Sequence, residues 1–258
     1  MAETRHADPL VLSLTRLGVD HGTTLLVHAS LSGTGLDADP LRDALLAAVG
    51  PGGTLVVPAF TEQNSDTSHA FRARVRDMTP EQAAAFRADM PAFDPATTPS
   101  QGMGRLAESV RLAVGAVRST HPQTSFAAVG ARAGELLARH PLTSHLGWDS
   151  PLGALYGADA KVLLINVGFD VCTAFHLAEY HPKAPRRRYS CVVRPPGGGK
   201  EWTEYEDVVL DDGEFGSIGA DFPWGMERKG QLGGRPARLF AIRDAVRHAE
   251  HWMSEKRR

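Results

Sequence analysis

The sequence predicts an α/β fold: a single large domain with a central mixed, mostly parallel sheet, helices on both sides, and a loop-and-helix insertion. Three observations predict it. Short apolar runs of strand length alternate with segments of helical periodicity, the pattern of βα units. The chain has 258 residues, 42% hydrophobic and 22% charged, proportions that suit one sizeable core. No internal repeat and no Gly- or Ser-rich linker divides it, so residues 1–258 read as one domain.

The first sixty residues read α-β-α-β. Asp8-Pro9 places a cap and a proline at a helix start, and Leu10, Val11, Leu14 and Leu17 share one face. TLLVHAS (24–30) is a short apolar run, as in a buried strand. Asp39-Pro40 opens a second helix, LRDALLAAV, which Gly50 ends. After a PGGT turn, LVVP (55–58) is another buried strand, which suggests a parallel pair with a crossover helix. Residues 61–100 break the rhythm. TEQNSDTSHA is polar, 71–90 is charged and Ala-rich with helical character, and PAFDPATTPS is turn-rich. Such an insertion is either a functional loop or a surface excursion.

The rhythm then resumes. GRLAESVRLAV (104–114) reads as a helix, SFAAVG (125–130) as a strand and ARAGELLARH (131–140) as a helix. Ser150-Pro151 opens a short helix ending near Gly157, and KVLLINVG (161–168) is the most apolar strand. Asp170 is a candidate N-cap for a helix VCTAFHLAEYH. YSCVVR and EWTEYEDVVL flank PPGGGK as a hairpin. Residues 213–230 read as helical, and RLFAIRDAVRHAEHWM closes with a strand-to-helix passage.

Composition narrows the function. No apolar run approaches the roughly 18 residues needed to cross a bilayer, and MAETRHADPL does not resemble a secretory signal. Two cysteines, Cys172 and Cys191, cannot form a disulfide framework and suit a reducing cytoplasm. A net charge of −2, with 28 basic against 30 acidic residues, argues against a general nucleic-acid binder.

The stretch DVCTAFHLAE (170–179) follows the strongest strand, at the carboxyl end where α/β sheets place their sites. Thr173, His176 and Glu179 stand three apart and share a helix face. An imidazole beside a carboxylate is a minimal general base with an orienter, although such pairs are also common on solvated helices. Metal binding by His28, His121, His176, Asp170 and Glu179 is the rival, and no pair has the HExxH or CxxC spacing of a zinc site. VHASLSGTG, with Ser30, Ser32, Gly33 and Gly35, forms a small hydroxyl-rich loop whose backbone N–H groups could receive a phosphate or a thin amide chain. It lacks the GxGxxG and GxxxxGK[ST] patterns. RSTHPQTSFAAVG sets Arg118, Ser119 and His121 before another strand, where Arg118 could meet phosphate. The acidic run EDVVLDDGE (206–214) could face a cation or water.

Taken together, VHASLSGTG, GPGGTLVVPAFT, FDPATTPSQGMGRLAESVR, VRSTHPQTSFAAVG, the SP of WDSPLGALYG, and KVLLINVGFDVCTAFHLAE resemble the aminoglycoside N3-acetyltransferase family in order and spacing. DDGEFGSIGADF and GRPARLFAIRDAV resemble the family's closing segments. The resemblance implies the distinctive aminoglycoside 3-N-acetyltransferase-like fold, acetyl-CoA as donor and an amine of the 2-deoxystreptamine ring as acceptor; the absence of standard ligand spacing leads to the expectation of no metal. It implies His176 as catalytic base with Glu179 as partner, and Thr173 near the acetyl thioester. Loops holding Ser30, Leu31, Ser32, Arg118, Ser119 and Ser125 would line the CoA channel. Asp212 or Glu214 would be the buried carboxylate orienting His176. The 61–100 insertion would wall the acceptor site.

An aminoglycoside carries several ammonium groups, whereas the chain is nearly neutral, so attraction must come from local carboxylates. Glu62, Asp66, Asp149, Asp170 and Glu214 are the candidates. Three other readings stand beside this one: an acyl-CoA-dependent N-acyltransferase of another natural-product amine, a metal-dependent hydrolase, and a silent CoA-binding protein. The expected setting is a cytoplasmic enzyme with no membrane or nucleic-acid partner, and a homodimer stays open.

Overall fold

The computed structural model describes residues 8–257. Its main sheet contains β1 (Thr24–Ala29), β2 (Thr54–Pro58), β3 (Val117–Arg118), β4 (Phe126–Gly130) and β5 (Lys161–Ile165). A separate hairpin pairs β6 (Arg186–Val193) with β7 (Glu201–Val208), around the expected PPGGGK turn. β8 (Glu227–Leu232) and β9 (Arg235–Ala241) complete a seven-stranded sheet in the order β3-β4-β2-β1-β5-β9-β8.

The sheet is mixed, with its parallel part at the centre. β1 runs parallel to both β2 and β5. The four remaining pairings are antiparallel, so parallel strands do not dominate the sheet as the βα rhythm suggests. The reason lies in the connections. The 61–116 excursion returns through β3, which turns over residues 119–125 into β4, so β4 meets β2 head to tail. β5 likewise meets β9 antiparallel, because the chain comes back through the β8–β9 hairpin.

Helices cover both faces. α1 (Pro9–Leu17) starts as expected: the Asp8 carboxylate accepts from the Leu10 N–H at 2.8 Å, and Gly18 ends it at φ +105°. α2 (Ala38–Val49) begins at Ala38 rather than at Pro40. The insertion folds as two short helices, α3 (His69–Val75) and α4 (Pro80–Asp89). Thr79 and Gln82 form a capping box that starts α4 afresh. α5 (Gly104–Arg111), α6 (Ala133–Leu137) and α7 (Pro151–Gly157) follow the expected segments, the first two shorter than read. Residues 213–230 split into α8 (Phe215–Ala220) and the strand β8, and α9 (Ile242–Lys256) closes the fold.

The central strands are buried on both sides, and alternate residues serve two cores. Leu25, Val27, Leu55, Val57, Leu163 and Ile165 pack beneath α1, α2 and α5. Leu26, Val56, Val162 and Leu164 face α7, α8 and α9, where Ala245, Val246, Ala249, Trp252 and Met253 form one helical stripe. Cys172 and Cys191 are buried free thiols, each pushed up to about 12 by that burial. Among the described residues no helix is long and apolar enough to cross a membrane.

Candidate active site

A cleft of about 760 Å³ opens where β1, β2 and β5 end. The end of β1 and the turn after it supply His28 to Ser32, and the end of β2 and the turn after it supply Pro58, Phe60 and Glu62. Gly102 to Ala107, at the start of α5, form a third wall. The fourth is the segment after β5, with Asp170, Val171, Thr173 and His176, together with Asp212 and Phe215. Ligands settle at such strand ends because the loops there diverge around a rigid sheet.

The segment after β5 is not the α-helix expected from VCTAFHLAEYH. It forms two 3₁₀ stretches, Phe169–Val171 and Thr173–Glu179. Asp170 does not cap a helix; Gly168 stands at that position without a side-chain bond, and Asp170 lines the cleft instead. In a 3₁₀ helix residues three apart eclipse, so Thr173, His176 and Glu179 stand in one row. His176 Nδ1 lies 2.7 Å from Glu179 Oε2, and the two side chains are 11% and 3% exposed. With Nδ1–H donated to the carboxylate, the His176 ring presents Nε2 to the cleft it lines. Phe215 packs on this ring at 4.6 Å between centroids.

Glu179 is itself anchored. Its Oε1 accepts from the Asp211 N–H at 3.0 Å and from Arg257 Nη1 at 2.8 Å. Glu179 is therefore the carboxylate that orients His176. This corrects the expectation for Asp212 and Glu214: Asp212 lines the cleft without a bond to the ring, and Glu214 takes Arg257 Nε at 2.6 Å. Thr173 Oγ1 lies 3.2 Å from His28 Nε2, and burial lowers the His28 pKa to about 4, so this ring is neutral.

Asn166 braces the turn after β1. Its φ is +53°, a left-handed position that Asn tolerates. Its Nδ2 donates to the Ser30 carbonyl at 3.1 Å and the Ser32 carbonyl at 2.9 Å. C=O and N–H of a trans peptide point oppositely, so the Leu31 amide faces away from Asn166.

Eight of the expected residues thus share the cleft: Ser30, Leu31, Ser32, Glu62, Asp170, Thr173, His176 and Asp212, with Glu179 directly behind. The others lie elsewhere. Arg118 donates to Ser125 Oγ and to the carbonyls of Ala59 and Thr98, and burial lowers it to about 10. Ser125 donates to the Ala59 carbonyl, and Ser119 bonds His140 and the Phe126 N–H; both serines are buried. These three residues knit the β3–β4 hairpin to the base of the insertion and do not line the cleft. Asp66 pairs with Arg87 inside the insertion, and the exposed Asp149 pairs with Arg139.

A second polar cluster lies outside the cleft. The His121 ring stands 4.8 Å from that of His140 and 4.5 Å from that of His145. His121 Nδ1 accepts from the N–H groups of Gln123 and Thr124, leaving Nε2–H for the Leu142 carbonyl. His140 Nε2–H meets the His145 carbonyl at 2.8 Å. His145 Nδ1–H meets Asp207 Oδ2 at 2.7 Å, which also accepts from the Tyr180 hydroxyl at 2.8 Å. Burial lowers all three imidazoles, His140 to about 3. His121 therefore lies apart from His28 and His176. Among the described residues no group of three or more His, Cys, Asp or Glu is placed to hold a metal ion.

Sequence reasoning missed the structural roles of Asn166, Arg105 and Arg257. The Gly-Met-Gly run ahead of α5 was a usable signal for Arg105, since Gly102 and Gly104 adopt φ +69° and +81° and turn the helix start into the cleft. Arg257 carried none, lying 78 residues from Glu179.

Comparison with known proteins adds the family. The family described as aminoglycoside 3-N-acetyltransferase matches residues 26–254. A Bacillus subtilis prophage-derived aminoglycoside N(3')-acetyltransferase-like protein, YokD, is 36% identical over 248 residues, covering 93% of this chain and 89% of its own length. Its crystal structure superposes with a TM-score of 0.88 and 33% identity, covering 96% and 98% of the two chains. Aminoglycoside N(3)-acetyltransferase VIII of Streptomyces fradiae is 34% identical, over 96% of this chain and 91% of its own. A solved complex of AAC-IIIb with CoASH superposes with a TM-score of 0.82 and 29% identity, covering 96% and 95%.

Proposed function

The chain belongs to the aminoglycoside 3-N-acetyltransferase family, and from that premise we propose that it transfers the acetyl group of acetyl-CoA to the 3-amino group of the 2-deoxystreptamine ring of an aminoglycoside. The observation that carries this reading is the His176–Glu179 pair, 2.7 Å apart, on the wall of a cleft that also holds Glu62, Asp170 and Asp212. The chemistry needs both features. An ammonium group cannot attack a carbonyl, so it first gives one proton to solvent; a base must then take the second proton as nitrogen closes on carbon, and carboxylates must attract the acceptor's cationic groups.

His176 is the base. In a ternary complex the amine nitrogen forms a bond to the thioester carbonyl carbon while its proton passes to His176 Nε2. The C–S bond then breaks, and the imidazolium returns the proton to the departing thiolate. Glu179 fixes the tautomer and faces the imidazolium as it forms. The Leu31 N–H, turned from Asn166, is the candidate donor to the oxyanion. Direct transfer needs no protein nucleophile, and the buried thiols of Cys172 and Cys191 are raised to about 12, the wrong direction for one. The start of α5, with Arg105, is the candidate seat for the CoA phosphates. Dependence on acetyl-CoA fits a cytoplasmic reaction.

The insertion is the acceptor wall in this reading. Beside the cleft lies a hollow of about 400 Å³ that also touches Glu62. Phe71 and Phe86, stacked at 5.9 Å, and Met90 give it an apolar floor, with Asp89 and Arg74 at its side. An apolar floor favours the less hydroxylated sugar of an acceptor, because each buried hydroxyl without a partner costs about 1–3 kcal/mol. The test is acetyl-CoA-dependent thiol release with kanamycin-, gentamicin- and apramycin-like amines and with simple amines. Turnover of simple amines alone, with none of the aminoglycosides, refutes the acceptor assignment.

A further inference from the structure

We infer that Arg257 is a positioning residue for the acetyl transfer, holding Glu179 so that Glu179 can hold His176. The inference rests on the reading of His176 as base. Arg257 follows α9 and does not line the cleft. Each of its three guanidinium nitrogens is nonetheless engaged around Glu179. Nη1 donates to Glu179 Oε1 at 2.8 Å, Nε to Glu214 Oε2 at 2.6 Å, and Nη2 to the Asp211 carbonyl at 2.8 Å. The Asp211 N–H completes the grip on Glu179 Oε1 at 3.0 Å. Glu179 thus has one oxygen for the imidazole and one for the clamp.

Two consequences follow from elementary electrostatics. A carboxylate that is 3% exposed needs a compensating charge, and Arg257 supplies it. A bare buried carboxylate would also hold the imidazolium too tightly to return its proton. The guanidinium lies one carboxylate away from the ring and offsets part of that attraction. The other groups facing the pair are Asp170, Asp211, Asp212 and Glu214, with His28 behind Thr173, and His145 near enough to act on His176 through its charge. His28 is neutral, and burial lowers His145. Arg257 is therefore the fixed cation of this group.

The experiment compares wild type with Arg257→Lys and Arg257→Ala in two readouts. The first is a side-chain 15N titration of His176 in the substrate-free protein, with His176→Gln to assign the resonance. Loss of the positive charge in Arg257→Ala moves the His176 midpoint upward by about one pH unit, the scale of one charge about 7 Å away in partly buried surroundings, whereas Arg257→Lys keeps the charge and leaves the midpoint near that of wild type. The second is steady-state kinetics. Arg257→Ala lowers kcat about 10- to 100-fold with both KM values within about twofold, and added guanidinium ion restores part of the rate. A purely structural staple would lower the melting temperature and leave the titration where it was. An unmoved His176 midpoint in folded Arg257→Ala overturns the inference. A wild type that acetylates no amine overturns the functional reading instead, and leaves the titration result standing.

Discussion

Lowering the pH from 8 to 5 should destabilise this fold before most carboxylates are protonated. Four buried imidazoles are held neutral: His28 at about 4, His140 at about 3, and His121 and His145 also below 6.5. Burial is the leading cause in each case. A histidine depressed on folding binds protons more readily in the unfolded chain. Stability is therefore complete above the unfolded value of 6.5 and falls as the pH drops toward the folded value. At pH 5 an unfolded imidazole is almost fully protonated and a folded one at 4 or lower is not, a difference of about 2 kcal/mol per residue. His28 and His140 alone give about 4 kcal/mol, a large fraction of an ordinary unfolding free energy of about 5–15 kcal/mol. Carboxylates do not confound this window. Glu108, for example, is held at about 2 by its bonds from Arg111 and Ser100, against a burial that would raise it, and its contribution is lost mainly as the pH falls from the unfolded value of 4.5 toward 2. The assay is urea unfolding at half-unit steps from pH 8 to 5. Replacing His28 by Gln should remove about one quarter to one third of the slope. Unfolding free energies that stay flat across this range would refute the neutral assignment of the histidines.

Further outcomes follow from the cleft. His176→Ala should lower kcat by about 10²–10⁴ while acetyl-CoA binding, read by calorimetry, persists; a folded variant with near-normal kcat removes His176 from the mechanism. The acceptor KM should rise steeply from 0.01 to 1 M salt, as the screening length shrinks from about 30 to about 3 Å, and a flat KM with robust turnover points to a neutral acceptor. Dialysis against a chelator should leave the rate unchanged, whereas a loss restored by metal favours the hydrolase reading. Phe86→Ser should raise KM for acceptors bearing a deoxygenated sugar more than for fully hydroxylated ones, and equal effects on both separate the hollow from acceptor recognition.

The sequence was most legible where local chemistry alone decides structure. β1, β2 and β5 are apolar runs of strand length, and Asp8-Pro9 and Ser150-Pro151 are helix starts whose side chains make the cap bonds. Strand direction was not legible, because β4 and SFAAVG have the same composition whichever way the connection returns. β8 was missed since Glu227-Arg228-Lys229-Gly230-Gln231 is an edge with little to bury, and its charges are those that keep an edge from pairing with another chain. At the site, the spacing of Thr173, His176 and Glu179 was enough to place the three side chains in one row. Arg118, Ser119 and Ser125 were not, because a polar residue beside a strand end looks the same whether it faces a ligand or a buried carbonyl.

The 3₁₀ form of residues 173–179 explains why the spacing was informative even though the helix type was misread. In an α-helix, residues three apart are offset around the axis, and a short imidazole must lean to reach its partner. At three residues per turn they eclipse, about 6 Å apart along the axis. His176 then sits squarely between Thr173, whose hydroxyl lies 3.2 Å from His28, and Glu179, which meets Arg257. One row of side chains thus runs from a neutral imidazole on the cleft wall to a compensated carboxylate in the interior. The cost of 3₁₀ geometry is poorer backbone bonding. Burial of all seven residues of this stretch, with Phe175 and Leu177 fully enclosed in the core, offsets that cost. The packing that holds this turn is therefore also what aligns His176, and under the proposed mechanism core changes at Phe175 should lower kcat as well as stability.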